Sequence, residues 1–219
     1  MEFNIKLLFV ITSMVLNFNA AAKEKISLLA PYDEWYFNFF YPNSLPAEVT
    51  YVELLDTNGI YYQFRTLAST NASPGSVGQW SEKVSGMSSV FNKAKNPPMS
   101  IHFCWDSVID KKEYETWITL AGDVWKLMLT PYSPPGGGSE KYYLRYLLIG
   151  LAPEGKIGVW LEKPDKPNIR LTDKQILIET VSGEKMEMCK GISRHDFSLG
   201  DDEYVLEFIK DKKYPYGNW

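Results

Sequence analysis

Histidine and cysteine are scarce, at two of each in 219 residues. That scarcity limits the chemistry on offer. His102 and His195 lie far apart, and neither has a second histidine at metal-ligand spacing, which argues against a zinc site. No Gly-x-Ser-x-Gly elbow occurs; Gly191, Ile192, Ser193, Arg194 and His195 only half imitate one. Residues 135–139 carry the glycines of a phosphate-binding loop but not its lysine or its strand-to-helix setting. An excess of positive charge is missing too, with 23 Lys and Arg against 27 Asp and Glu and a net charge of -4. Phosphate binding calls for clustered cations, so nucleic acid is not an expected partner. With no catalytic set, metal motif or cofactor motif in view, the expectation is a binding protein rather than an enzyme.

Long apolar runs are absent except near the start. Lys6 precedes the apolar residues 7–16, and Ala20, Ala21 and Ala22 follow. This is the pattern of a cleavable signal peptide; the run is about half the ~20 residues that a membrane-crossing helix needs, which makes an uncut anchor the weaker alternative. Small residues at positions 20 and 22 place the mature start near Lys23. No cysteine precedes Cys104, so the usual lipoprotein attachment has no acceptor. Residues 1–22 are therefore read as a signal peptide. Residues 23–219 are read as a single β-rich domain, exported to the periplasm and soluble there. The leader carries one charge of each sign, Glu2 and Lys6, so its removal leaves the balance at -4.

An oxidising compartment favours pairing of Cys104 with Cys189. Alternation points the same way. Ile101, Phe103 and Trp105 form an apolar face that leaves Cys104 beside His102 and Asp106, and Cys189 alternates with Lys185 and Glu187 opposite Met186 and Met188. Closing so long a loop would stabilise the fold by about 4–5 kcal/mol in the chain-entropy treatment. Two unpaired thiols are the alternative.

Turn signals recur at short intervals between β-branched and aromatic runs, the signature of strands joined by hairpins. Residues 35–41 predict a first strand. Residues 49–55 and 60–67 flank Asp56, Thr57, Asn58 and Gly59, a tight hairpin. Residues 68–78 are Ser-, Thr-, Asn-, Pro- and Gly-rich and predict a surface loop; its Asn71 and Ser73 form a glycosylation triplet that a bacterial setting would make accidental. Residues 100–106 predict another strand. Residues 111–129 fit either period, and a strand to Leu120 followed by a short helix from Asp123 to Leu129 is favoured. Residues 131–139 predict an exposed loop. Residues 142–151 and 156–162 pair across Pro153, Glu154 and Gly155, and residues 176–180 and 185–189 form a last hairpin through Ser182 and Gly183. The aromatic tail, residues 214–219, docks on the body. The expected fold is mainly β, an antiparallel sandwich-like single domain built from hairpins, with one or two short helices.

Among the carboxylates, Asp106 and Asp110 beside His102 form the one cluster in which an acid can orient an imidazole, against the plainer role of a solvated strand end. Asp201, Asp202 and Glu203 lack the alternating ligands of a calcium loop and predict a solvated acidic turn. Aromatics reach 15%, with 14 Tyr and 7 Trp. Tyr and Trp are favoured interface anchors, and Trp80, Tyr132 and Tyr142 sit near irregular segments where a partner has access; core or loop packing is their competing role.

Several segments together carry a family likeness. They are residues 31–35 (Pro-Tyr-Asp-Glu-Trp) with Leu45 and Pro46, residues 103–106 (Phe-Cys-Trp-Asp), residues 150–156 (Gly-Leu-Ala-Pro-Glu-Gly-Lys), residues 189–191 and residues 214–217. Over nearly all of the mature chain the sequence resembles a group of enterobacterial envelope proteins, often described as lipoproteins and catalogued as domain of unknown function 2931. These motifs carry no chemistry and bring no catalytic residues with them. The chain departs from the lipidated pattern at residues 20–22, which are alanines without a lipobox cysteine. Members of the group resemble genes found beside lipase-type toxins of the type VI secretion system. The resemblance implies an immunity role, binding and neutralising such a phospholipase in the periplasm. The alternative is a periplasmic binder of a small ligand or cell-wall carbohydrate, whose mark would be a concave aromatic site, whereas a flat aromatic patch would suit a protein partner.

Overall fold

Alternating and doubly apolar runs become two packed sheets in the computed structural model, which describes residues 28–84, 90–134, 137–164, 167–172 and 175–219. The leader read at residues 1–22 lies outside them. In chain order the elements are β1 (Trp35–Pro42), β2 (Ala47–Asp56), β3 (Tyr61–Phe64), β4 (Asn71–Ser73), β5 (Lys93–Ala94), β6 (Pro98–Ser107), β7 (Lys112–Leu120) and α1 (Gly122–Leu129). There follow β8 (Tyr146–Ala152), β9 (Lys156–Leu161), β10 (Ile169–Arg170), β11 (Ile176–Ser182) and α2 (Glu203–Ile209). One sheet runs β10-β9-β8-β1-β4, with β5 also on β1, and the other runs β11-β7-β6-β2-β3. Pairing is antiparallel except that β1 lies parallel to both β8 and β4.

The sandwich core is where the apolar faces meet. Phe37 and Phe39 of β1 and Leu147, Ile149 and Leu151 of β8 pack against Val52, Leu54, Ile101, Phe103 and Ile118 of the facing sheet. Phe39 and Phe103 bring their rings to 5.0 Å across that seam. The strand-then-helix reading of residues 111–129 holds, and so does the Asp56 hairpin. In that hairpin the buried Asp56 carboxylate accepts from the N–H groups of Asn58 and Ile60 at 2.9 Å each and so sets the turn.

Both sheets also carry layers on their outer faces. Over β1, β8 and β9, Phe40, Leu148 and Trp160 hold Trp80, and the docked tail adds Trp219, whose ring lies 5.2 Å from that of Trp80. Gly150 makes this possible, because a Cβ there would stand 2.7 Å from the Trp80 ring. Over β2, β6 and β7 lies an arm, residues 183–195. The Cys104–Cys189 disulfide ties it to β6. Glu115 on β7, with no solvent exposure, accepts from the N–H groups of Glu187 at 2.6 Å, Met188 at 3.2 Å and Cys189 at 3.3 Å. Asp106, also buried, accepts from the N–H groups of Arg194 and His195 at 3.0 and 3.2 Å.

This arm replaces the expected last hairpin. Residues 185–189 do not pair with β11, which instead runs along β7 from Ile176 opposite Leu120 to Ser182 opposite Tyr114. The reason is competition for donors: the N–H groups that a ladder would need are taken by the Glu115 carboxylate. Two smaller differences follow. The expected loop 68–78 contains β4, and the acidic turn at 201–203 opens α2, with Asp202 at its N-cap and Glu203 in the first turn, where the helix dipole favours negative charge.

Burial alone would raise the pKa of Glu115. Hydrogen bonds from the N–H groups of Glu187 and Cys189, from His102 and from the Met188 N–H outweigh it and hold the carboxyl below the ordinary carboxylate range. A depressed folded-state pKa gives stabilisation that is present above the unfolded-state value and lost as pH falls through the folded one. Glu115→Gln should therefore cost about 2–4 kcal/mol in denaturant unfolding at pH 7 and flatten the acid limb of stability against pH. A loss within the roughly 0.5 kcal/mol typical of surface changes would show that the arm is fastened elsewhere.

Candidate functional site: a tyrosine-lined groove

The polar clusters singled out in the sequence are drawn apart by the fold. His102, Asp106 and Asp110 do not meet. The His102 imidazole bonds Glu115 at 2.7 Å, Asp106 binds the arm, and Asp110 accepts from the hydroxyls of Tyr114 and Tyr214 and from the Glu154 N–H, each at 2.9 Å. Ser193 makes no nucleophile–base pair with His195, since its hydroxyl donates to the His195 backbone carbonyl at 3.5 Å. Every one of these groups has a structural partner.

A different region remains open. Before β8 the chain folds back on itself, with Tyr132 and Tyr142 exchanging backbone hydrogen bonds of 2.8 and 3.0 Å and stacking their rings 5.7 Å apart. Tyr143 then meets Tyr32 at 5.4 Å, and Tyr146 stacks on Tyr36 at 5.2 Å, where the parallel pairing of β1 with β8 sets the two opposite each other. Between these rings lies a groove of about 970 Å³ whose walls include Tyr32, Tyr142, Tyr143 and Tyr146, with Arg145, Lys141, Glu140 and Glu162 supplying charge. Arg145 is positioned twice, by an Nη1 hydrogen bond to the Glu34 carbonyl at 3.5 Å and by its approach to the Tyr32 ring at 6.0 Å.

Tyr32 is the unusual member. Its hydroxyl oxygen is buried and has no hydrogen-bond partner among the described residues. Burial pushes the phenol well above its usual pKa, the nearby Arg145 pulls the other way, and Tyr143 adds to the rise. A phenol that stays protonated beside a cation, with no protein acceptor, offers a donor to whatever enters the groove.

Of the three anchors expected from composition, Tyr142 lines this groove and Tyr132 braces it from behind. Trp80 lies elsewhere and is only 9% exposed, walled by Phe40, Trp160 and Trp219, so its contact area is used inside the protein. Tyr32, Tyr143, Arg145 and Tyr146 escaped the sequence reading. The tyrosine density of residues 142–146 was visible, but which rings face outward depends on the β1–β8 register.

Tyr32→Phe should raise stability by up to about 1 kcal/mol, because it removes a buried hydroxyl that has no partner. Thermal unfolding of the two proteins checks this, and a fall in Tm would mean that the hydroxyl is satisfied within the fold.

No curated protein and no solved structure matches the chain. The family model described as "Protein of unknown function (DUF2931)" matches residues 19–217, nearly the whole length, and the chain belongs to that family.

Proposed function

We propose that this is an exported binding protein whose tyrosine-lined groove recognises a partner protein, and that the partner is a lipase-type toxin of the type VI secretion system, neutralised by being bound. The observation that carries the reading is the composition of the groove. Tyr and Arg are the residues enriched at the energetic centres of protein interfaces, and here four tyrosines and Arg145 converge on one open cleft already ordered by stacking. The resemblance to genes beside lipase toxins supplies the class of partner. The Cys104–Cys189 disulfide supports an oxidising compartment, and among the described residues no helix is long and apolar enough to cross a membrane. The periplasm is the setting proposed.

The concavity of the groove favours a second reading, a cell-wall carbohydrate whose rings would stack on tyrosine while Arg145 and the carboxylates take its hydroxyls. The two readings part in one experiment. The exported protein is co-expressed with phospholipase toxins of the type VI secretion system directed to the periplasm and survivors are counted, alongside titration of purified protein with soluble glycan fragments. Rescue that is lost in Tyr143→Ala with Arg145→Ala supports neutralisation, and each substitution should weaken toxin binding by about thirtyfold or more. Failure to rescue, with saturable glycan binding that the same substitutions remove, transfers the groove to the carbohydrate. Full rescue by the double variant would take the groove out of the interface.

A further inference from the structure

The fastening beneath the arm contains a set of atoms that its structural role does not exhaust. His102 Nε2, a Glu115 carboxylate oxygen and Cys189 Sγ all lie within 4.8 Å of one another, and Cys104 Sγ is bonded to Cys189 Sγ. Strand register brings them together. Cys104 stands opposite Glu115 across β6 and β7, and His102 is two residues away on the same face. We propose that reduction of the Cys104–Cys189 disulfide converts this cluster into a tetrahedral zinc site with Cys104, Cys189, His102 and Glu115 as its ligands.

Two thiolates, an imidazole and a carboxylate form a borderline-soft donor set that suits Zn²⁺ and not the hard cations Mg²⁺ or Ca²⁺. The surroundings are those of a supported metal site. Glu53 Oε2 lies 4.0 Å from His102 Nδ1, close enough to move in and accept a hydrogen bond from Nδ1–H once Nε2 carries a metal, and Trp117 stacks on the imidazole at 4.4 Å and fixes its plane. Glu115 Oε2 is held by the N–H groups of Glu187 and Cys189, while Oε1, which faces His102 at 2.7 Å and accepts from the Met188 N–H at 3.2 Å, keeps a lone pair to turn to the ion. Both cysteines and Glu115 are buried, so the ion would be shielded from water.

The chemistry balances with a dithiol as reductant. Two electrons and two protons pass from the dithiol to the protein sulfurs, the dithiol becomes a disulfide, and Zn²⁺ displaces both thiol protons. The proton on His102 Nε2 moves to Nδ1. The arm is then fastened under either redox condition, by a disulfide when oxidised and by a metal when reduced. This site lies apart from the tyrosine-lined groove, and the inference does not rest on the reading of that groove.

The test uses the purified full-length mature protein, oxidised or reduced with a phosphine, which removes the bridge as its oxide forms with oxygen from water. Each form is titrated with Co²⁺ and then with Zn²⁺ while far-UV circular dichroism is followed. The expected result is uptake of one ion only after reduction, with the visible absorption of tetrahedral cobalt bound to thiolate, displaced by Zn²⁺ and accompanied by native dichroism. His102→Gln should weaken uptake at least tenfold, and Glu53→Gln, which leaves the ligands intact, about tenfold. No uptake by the reduced protein, equal uptake by the oxidised protein, or unchanged affinity in His102→Gln would each overturn the site.

Discussion

A carboxylate shut away from water must find its hydrogen bonds within the protein or lose its charge, and Glu115 finds four. Three come from consecutive backbone N–H groups of the arm and one from His102. An apolar side chain in its place would leave those amides facing a pleated sheet with no acceptor, at a cost of roughly 1–3 kcal/mol for each buried group left unpaired. The arm therefore lies where it does because a charge on β7 requires it. The disulfide to Cys104 limits the unfolded chain as well, and the Asp106 carboxylate repeats the device further along. What reads in sequence as one more β-hairpin becomes a strap because a buried anion outcompetes a strand for three donors.

The opposite sheet uses aromatic mass instead of charge. Trp80, Trp160 and Trp219 close over Phe40 and Leu148, so β1 and β8 are covered on both faces for much of their length. Doubly covered strands have little freedom to shift register, since a one-residue slip would exchange their faces. Rigidity at this point reaches the groove. The groove is built from residues at the leading ends of these two strands, so the spacing of Tyr36, Tyr146, Tyr143 and Tyr32 is inherited from a core that cannot slide. A preorganised set of rings avoids part of the ordering entropy that a flexible loop would lose on binding.

Most strands were legible because their period was unmistakable. β1, β2, β6 and the strand-to-helix passage from β7 to α1 fall within a residue or two of the expected bounds, as do the Asp56 hairpin and the Cys104–Cys189 bridge. Failures came where a long-range partner overrode a local pattern. Residues 185–189 alternate well enough to be a strand, and only Glu115, some seventy residues earlier in the chain, decides otherwise. β4 is three small or polar residues that pair with the end of β1, and nothing in Asn71, Ala72 or Ser73 favours a strand. The groove was half legible for a similar reason. Tyrosine density marks residues 142–146, whereas Tyr32 joins them through a parallel pairing that no hairpin signal announces.

Polar satisfaction separates the two ends of the molecule. His102, Asp56, Asp106, Asp110 and Glu115, the groups from which a sequence reader would assemble an active site, are tied to backbone amides, hydroxyls or one another, and each holds two segments together. Those bonds fasten the arm, the hairpin and the tail to the sheets. The Tyr32 hydroxyl differs in being buried without a partner among the described residues, in a cleft that four tyrosines line. Folding alone gains nothing from placing a phenol there, since phenylalanine would fill the same space without an unmade bond. A polar group retained against the interest of stability is better understood through what binds to it, and that consideration favours the recognition proposed for the groove.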